Sequence, residues 1–208
     1  MLFCRLGYGN AFVFDPFQDL FTHLIRDAIP SFCFVHNRII SLSKECPNFG
    51  VPVKKKLRRP HGYRVLEVDT IVRFIDGVKR YVLTGVDTER RTAFAACYTN
   101  HGSASAADFL RKAAVVLPDC PSAVQTDNGS EFSLHFEYAA ADLSLTHFHI
   151  YPRSPKLNSH AERFNRILDE EFLRCHRALM RDDVSAFNEN LVDWLPWYNG
   201  ERPHYALG

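Results

Sequence analysis

Three carboxylates in this 208-residue chain, Asp69, Asp127 and Glu162, sit where the local pattern can aim them at a common point. Asp69 comes late in an alternating segment, and Asp127 follows the short apolar run Ala123–Thr126 at the turn Asn128-Gly129. Glu162 belongs to a helical stretch in which Ala161, Phe164, Leu168 and Phe172 recur at spacings of three and four. That stripe is buried, which sets Glu162 to one side of it with Asn158, Arg166 and Asp169. Carboxylates gathered within about 4 Å repel one another by several kcal/mol per pair at an effective dielectric of about 20, so such a set makes sense only around cations. All-oxygen ligation suits Mg2+ or Mn2+, and two such ions about 3.5–4 Å apart activate an attacking hydroxyl and stabilise the leaving oxygen of a phosphodiester. With 24 acidic residues in the chain the triple alone is a weak signal, and the residues around it carry the weight.

Those residues are Glu67-Val68-Asp69-Thr70, then Gln125-Thr126-Asp127-Asn128-Gly129-Ser130-Glu131-Phe132, then Pro155 to Arg166 with Asn158, Glu162, Arg163, Phe164 and Asn165 inside it. They resemble, in order and spacing, the three motifs of the retroviral-integrase-like core of bacterial insertion-sequence transposases. Between Asp69 and Asp127 lie 57 residues, and between Asp127 and Glu162 lie 34, against about 35 in the family's pattern. Tyr198-Asn199-Gly200-Glu201-Arg202-Pro203-His204 looks like the family's sequence just past the catalytic helix. The resemblance covers roughly residues 54–208 and implies an RNase H-like α/β fold, a five-stranded mixed sheet flanked by helices. It implies that Asp69, Asp127 and Glu162 are catalytic and hold two Mg2+ (or Mn2+) ions for DNA cleavage and strand transfer. It also implies double-stranded DNA, as element ends and target, for a partner and a homo-multimer as the working form. Lys156, Asn158, Arg163, Asn165 and Arg166 become candidates for DNA contact, beside the plainer reading of solvent-facing helix residues or a cap.

The overall charge of +1 conceals a pattern along the chain. Val51 to Leu66 holds Lys54, Lys55, Lys56, Arg58, Arg59 and Arg64 with no acid, and such an arm suits phosphate neutralisation. Tyr151 to Arg181 holds seven cations against four acids. The six cysteines are scattered without a CxxC pair, which argues against a disulfide scaffold or a structural zinc site and for a reduced, cytoplasmic protein. No stretch reaches the roughly 18 apolar residues of a membrane helix.

Residues 1–50 have no legible fold: seven phenylalanines fall in the first 34 residues without a period, and Pro16, Pro30 and Pro47 interrupt any long element. Residues 51–62 read as a basic linker and 63–208 as the catalytic domain. Strands are expected at Tyr63–Ile75, Lys79–Val86 and Thr92–Thr99, the first two joined by Asp76-Gly77. A helix follows at Ser103–Leu117 with Ser105 and Asp108 as an approximate capping box. Then come a strand at Ala123–Thr126, a helix near Leu134–Leu143 and a strand around Leu145–Tyr151. The next helix is capped by Asn158 and runs to about His176, and a last one spans roughly Val184–Tyr198.

Competing sites are weaker. His160-Ala161-Glu162 copies the HxE of zinc deaminases, but no PCxxC follows. His23, Cys33, His36 and Cys46 have the wrong order for an HHCC zinc module. His147 and His149 lie on one side of a strand and read as packing, and Glu67, Asp87 and Glu131 read as strand-edge or turn acids. Residues 1–50 do not look like the helix-turn-helix modules that precede the core in relatives. This leaves two alternatives to an active enzyme: a truncated remnant that binds DNA or its parent transposase as an inhibitor, and an RNase H-like nuclease.

Overall fold

The computed structural model describes residues 62–117, 121–150 and 158–202. Residues 1–50, the arm cations Lys54, Lys55, Lys56, Arg58 and Arg59, and Lys156 fall outside them. Strands β1 (Val65–Ile75), β2 (Val78–Asp87) and β3 (Ala93–Tyr98) form an antiparallel meander. Helix α1 (Ser103–Val116) leads to β4 (Ala123–Thr126), and α2 (His135–Asp142) leads to β5 (Thr146–His149). Both of these strands pair in parallel, giving the order β3-β2-β1-β4-β5 and the expected five-stranded mixed sheet. Helix α3 (Ser159–Leu168), a π turn (Asp169–Leu173), α4 (Arg177–Asp182), α5 (Val184–Pro196) and a second π turn (Trp197–Glu201) complete the fold.

The hairpin between β1 and β2 turns at Asp76 (φ 48°) and Gly77 (φ 83°), two successive left-handed residues whose twist matches that of the flanking strands. This sets the register: Val68 lies opposite Gly85 and Asp69 opposite Thr84. Because side chains alternate, the pairing sorts the sheet into two faces. Leu66, Val68, Gly85 and Phe94 point toward α1, where a Cβ on Gly85 would meet the Phe109 ring at 3.2 Å and Phe109 stacks on Phe94 at 5.5 Å. Glu67, Asp69 and Thr84 face α3, and the backbone of Ala93 and Cys97 bonds to Asn199 of the second π turn and Asn188 of α5.

Three local expectations fail for identifiable reasons. The capping box does not form: Gly102 is the N-cap of α1, and Asp108 instead accepts from the Tyr98 hydroxyl (2.8 Å) and Lys112 (2.7 Å). The helix through Glu162 does not run unbroken to His176, because the backbone widens at Asp169–Leu173, where Asp169 is pulled onto Arg73 of β1 and Arg174. Asn158 stands at the N-cap of α3 without a capping bond from its side chain, and its buried Oδ1 has no hydrogen-bond partner. The last helix is capped as a helix should be, with Asp183 Oδ1 accepting from the N–H groups of Ser185 and Ala186.

Candidate metal and nucleic-acid site

The central strand carries the site. Asp69 projects from β1 and is half-buried; Asp127 follows β4, the parallel neighbour of β1; Glu162 lies in the first turn of α3. Asp127 and Glu162 are both exposed. The Asp69 pKa is raised above 3.8, first by burial, and the charges of Asp127 and Glu162 push it further up, against the lowering effect of bonds from Thr70 and Asn165. Three elements thus bring their carboxylates into one electrostatic neighbourhood. Their oxygens do not all approach within 4.8 Å of one another, a closeness reached among the described residues only by Glu137, His147 and His149.

What holds Asp69 is a short relay. Thr84 Oγ1 donates to Asn165 Oδ1 (2.7 Å), and Asn165 Nδ2 donates to Asp69 Oδ2 (2.8 Å). The Thr70 N–H donates to Oδ1 at 2.9 Å, so both carboxylate oxygens are directed. Asn165, a candidate for DNA contact, therefore has its amide committed inside the protein. It is one helical turn beyond Glu162 and ties that part of α3 to the β1–β2 pair.

Glu67 does the capping that Asn158 does not. Its carboxylate, 1% exposed in the central strand, accepts from the N–H groups of His160 (2.9 Å) and Ala161 (3.2 Å). An anion at the helix N-terminus meets both the orphan donors and the positive end of the helix dipole. At the other end of α3, Arg73 donates to Asp169 through Nη2 (2.6 Å) and Nε (3.1 Å). Contacts at residues 67, 69 and 73 of β1 thus lay α3 along the strand and set the height of Glu162. Glu67 is neither at a strand edge nor in a turn.

Asp127 is held by its own turn, with Oδ1 accepting from the Gly129 N–H at 2.8 Å, and Asn128 Nδ2 donates to the Ile150 carbonyl at 2.9 Å. A Cβ on Gly129 would lie 2.4 Å from Glu131 Oε2 and 2.9 Å from Asp127 Oδ1, so any other residue here would displace these two carboxylates. Glu131 is buried, accepting from Thr70 Oγ1 (3.1 Å) and bridging to His101 Nε2 (2.8 Å). Asp87 is a turn acid as expected, accepting from Arg64, Glu89 N (2.9 Å) and Arg90 N (3.0 Å). That pairing withdraws Arg64 from the basic run. Arg163 and Arg166 are exposed on α3.

The donor set is hard oxygen on one face, which fits Mg2+ or Mn2+ better than a soft ion. Sequence reading missed Glu67, Thr84 and Arg73 as supports; the one available signal was that Glu67 precedes Asp69 by two residues and so shares its face.

Two family models, both described as integrase core domain, match residues 59–155 and 143–208. The insertion element IS476 uncharacterized 39.2 kDa protein of Xanthomonas euvesicatoria is 27% identical over 198 residues, covering 89% of this chain and 56% of that protein. The chain thus spans a little over half the length of this relative. The HTLV-2 integrase catalytic core domain, solved in complex with magnesium in a trimeric form, superposes with a TM-score of 0.53 at 18% identity, covering 70% of this chain and 90% of the other. A chain of the simian T-cell lymphotropic virus intasome, solved in complex with PP2A regulatory subunit B56 gamma, gives 0.54 at 22% identity, over 74% of this chain and 54% of that one. These superpositions establish the RNase H-like fold, and with the two models spanning residues 59–208 the chain belongs to the integrase core domain family.

Proposed function

We propose that this chain is a DNA strand-transfer enzyme of an insertion element, cutting and joining duplex ends with Asp69, Asp127 and Glu162 as ligands of two Mg2+ or Mn2+ ions. What supports this is the integrase core domain match over residues 59–208, with Asp69 on the central strand feeling the charges of both other carboxylates although all three come from different elements. When bound, the ions supply a polarised hydroxyl nucleophile and charge neutralisation at the leaving oxygen. The chain's own part is positional. Thr84 and Asn165 aim Asp69, the turn at Gly129 aims Asp127, and Glu67 with Arg73 fixes the helix bearing Glu162. Burial of Asp69 strengthens its interaction with any cation it meets.

Residues 63–208 form the catalytic unit in this reading and 51–62 a basic linker. Lys54, Lys55, Lys56, Arg58, Arg59 and Lys156, with exposed Arg163 and Arg166, contact phosphates of double-stranded DNA; Asn165 serves Asp69 instead, and Asn158, whose side chain does not cap the helix, stays a candidate for DNA contact. A homo-multimer is the working form, and the cytoplasm is the compartment. No described helix is long and apolar enough to cross a membrane.

The test is incubation of the purified chain with duplexes carrying the element's ends, with Mg2+, Mn2+ or chelator, beside an RNA·DNA hybrid. Metal-dependent cleavage and joining of the duplex is expected. Digestion of the hybrid alone would reassign the chain to a nuclease, and no cleavage in either metal would reject the enzymatic reading.

A further inference from the structure

Two histidines and a glutamate meet on the sheet face opposite the triad. His147 and His149 are two residues apart on β5 and so share a side, the side covered by α2, whose Phe136 packs edge-on against His147 (5.1 Å) and whose next residue is Glu137. One possible ligand atom from each of Glu137, His147 and His149 lies within 4.8 Å of the others. His149 is buried and the other two are half-buried. Reading the pair as packing accounts for the rings but not for the carboxylate brought to them.

One assignment of the ring protons satisfies the bonds around Thr126. A hydroxyl has one proton, and Thr126 Oγ1 donates it to the Asp127 carbonyl at 2.8 Å. With that proton so assigned, the same oxygen accepts from His147 Nε2, 2.9 Å away, in the Nε2–H tautomer. The Asp127 carbonyl can only accept, so His149 Nδ1, at 3.3 Å, is the donor there. Lone pairs consequently sit on Nδ1 of His147 and Nε2 of His149. With the Glu137 carboxylate they make a set of three acceptors on rings whose centroids are 4.1 Å apart. Imidazoles that bind metal are oriented in this way, each giving its other N–H to a carbonyl or similar oxygen.

We infer that Glu137, His147 and His149 form a second metal site, for a borderline ion such as Zn2+, that clamps α2 to β5. Two imidazole nitrogens and one carboxylate oxygen, with water as a fourth ligand, suit Zn2+ and not the hard ions that fit the triad. Through the His149 N–H the clamp reaches the carbonyl of Asp127, so it steadies the turn beside the first site from behind. This site stands whether or not the proposed strand transfer does.

Co2+ is the probe, because it reports tetrahedral ligation by its visible absorption. The full chain is expected to bind one equivalent with tetrahedral bands, displaced by Zn2+ and free of thiolate charge transfer. The bands should persist in the triple variant D69N/D127N/E162Q and disappear in E137Q and in H147Q, with circular dichroism confirming the fold. Thr126→Val, which removes the acceptor of His147, should weaken the binding about 10-fold or more. If H147Q does not fold, E137Q on the half-buried helix position decides. Unchanged Co2+ bands in E137Q, loss of the bands in the triple variant, or charge transfer from cysteine would each overturn the site.

Discussion

On the face bearing Leu66, Val68 and Gly85 the sheet meets α1 mainly through apolar contact, with Phe109 against Gly85 and stacked on Phe94, and one polar bond from Tyr98 to Asp108. On the opposite face the same strands meet α3 through Glu67, Thr84 and Asn165, while Asn188 of α5 and Asn199 of the second π turn hold the β3 backbone, each hydrogen-bonded to a partner distant in sequence. Apolar burial is non-directional and supplies the bulk of stability, whereas a buried polar group is tolerable only when its bonds are made. The first face therefore holds the fold together, and the second fixes where individual atoms go. The carboxylates proposed for catalysis project from the second.

The largest effect should come from the triad: Asp69→Asn, Asp127→Asn and Glu162→Gln should each cut metal-dependent cleavage by about 100-fold or more while leaving circular dichroism unchanged. A variant that unfolds instead would move its residue to the structural side of the comparison. Phe109→Ala should do the reverse. Loss of this buried ring costs about 3–5 kcal/mol and should lower the melting temperature by roughly 10 °C or more, with activity per folded molecule retained in cold assays. Activity falling in step with the triad variants would mean the two faces are not separable.

Glu67→Ala lies between these extremes. Removing the cap of α3 costs about 1–2 kcal/mol, and because α3 carries Glu162, cleavage should fall more than stability does. Glu67→Gln, which keeps an acceptor oxygen, should recover most of the stability; equal losses in the two variants would show that charge and not capping is what matters. The smallest effect is a titration. Metal-free Asp69, followed by carboxyl NMR, should titrate above 3.8 and move down in Glu162→Gln. A folded-state pKa above the unfolded one means that the folded chain binds this proton more tightly. Stability from this group is therefore greatest below 3.8 and declines as pH rises through the raised value. A titration unmoved in both Glu162→Gln and Asp127→Asn would separate the three carboxylates.

The apolar face and the strand boundaries were legible in the sequence because they depend on alternation and on local turn chemistry. β4 falls at Ala123–Thr126 as read, and Asp76-Gly77 makes the expected turn. The polar face was less so. Glu67 was read as an edge or turn acid because nothing nearby in sequence shows that a helix N-terminus 93 residues away lies over it. For Asn165 the sequence leaves DNA contact and a solvent-facing position both open, because an amide on an exposed-looking helix does not announce Thr84 and Asp69 as partners. The Ser105–Asp108 pattern misled in the other direction, a local motif overruled by the Tyr98 hydroxyl and Lys112. Directional bonds between distant residues leave no periodicity to read.

The amides of Asn188 and Asn199 carry one more consequence. Asn188 exchanges hydrogen bonds with the N–H and C=O of Cys97 (2.7 and 3.0 Å), and Asn199 does so with those of Ala93 (2.8 and 3.0 Å). Since β3 is the outermost strand, these are groups on its open edge. Among the described residues each amide takes the place of a neighbouring strand's peptide, and so occupies the edge groups of Ala93 and Cys97 that another chain would pair with. If copies of this protein associate as proposed, the contact runs through helices, loops or the β5 side, and not by continuing the sheet past the Ala93–Cys97 edge of β3.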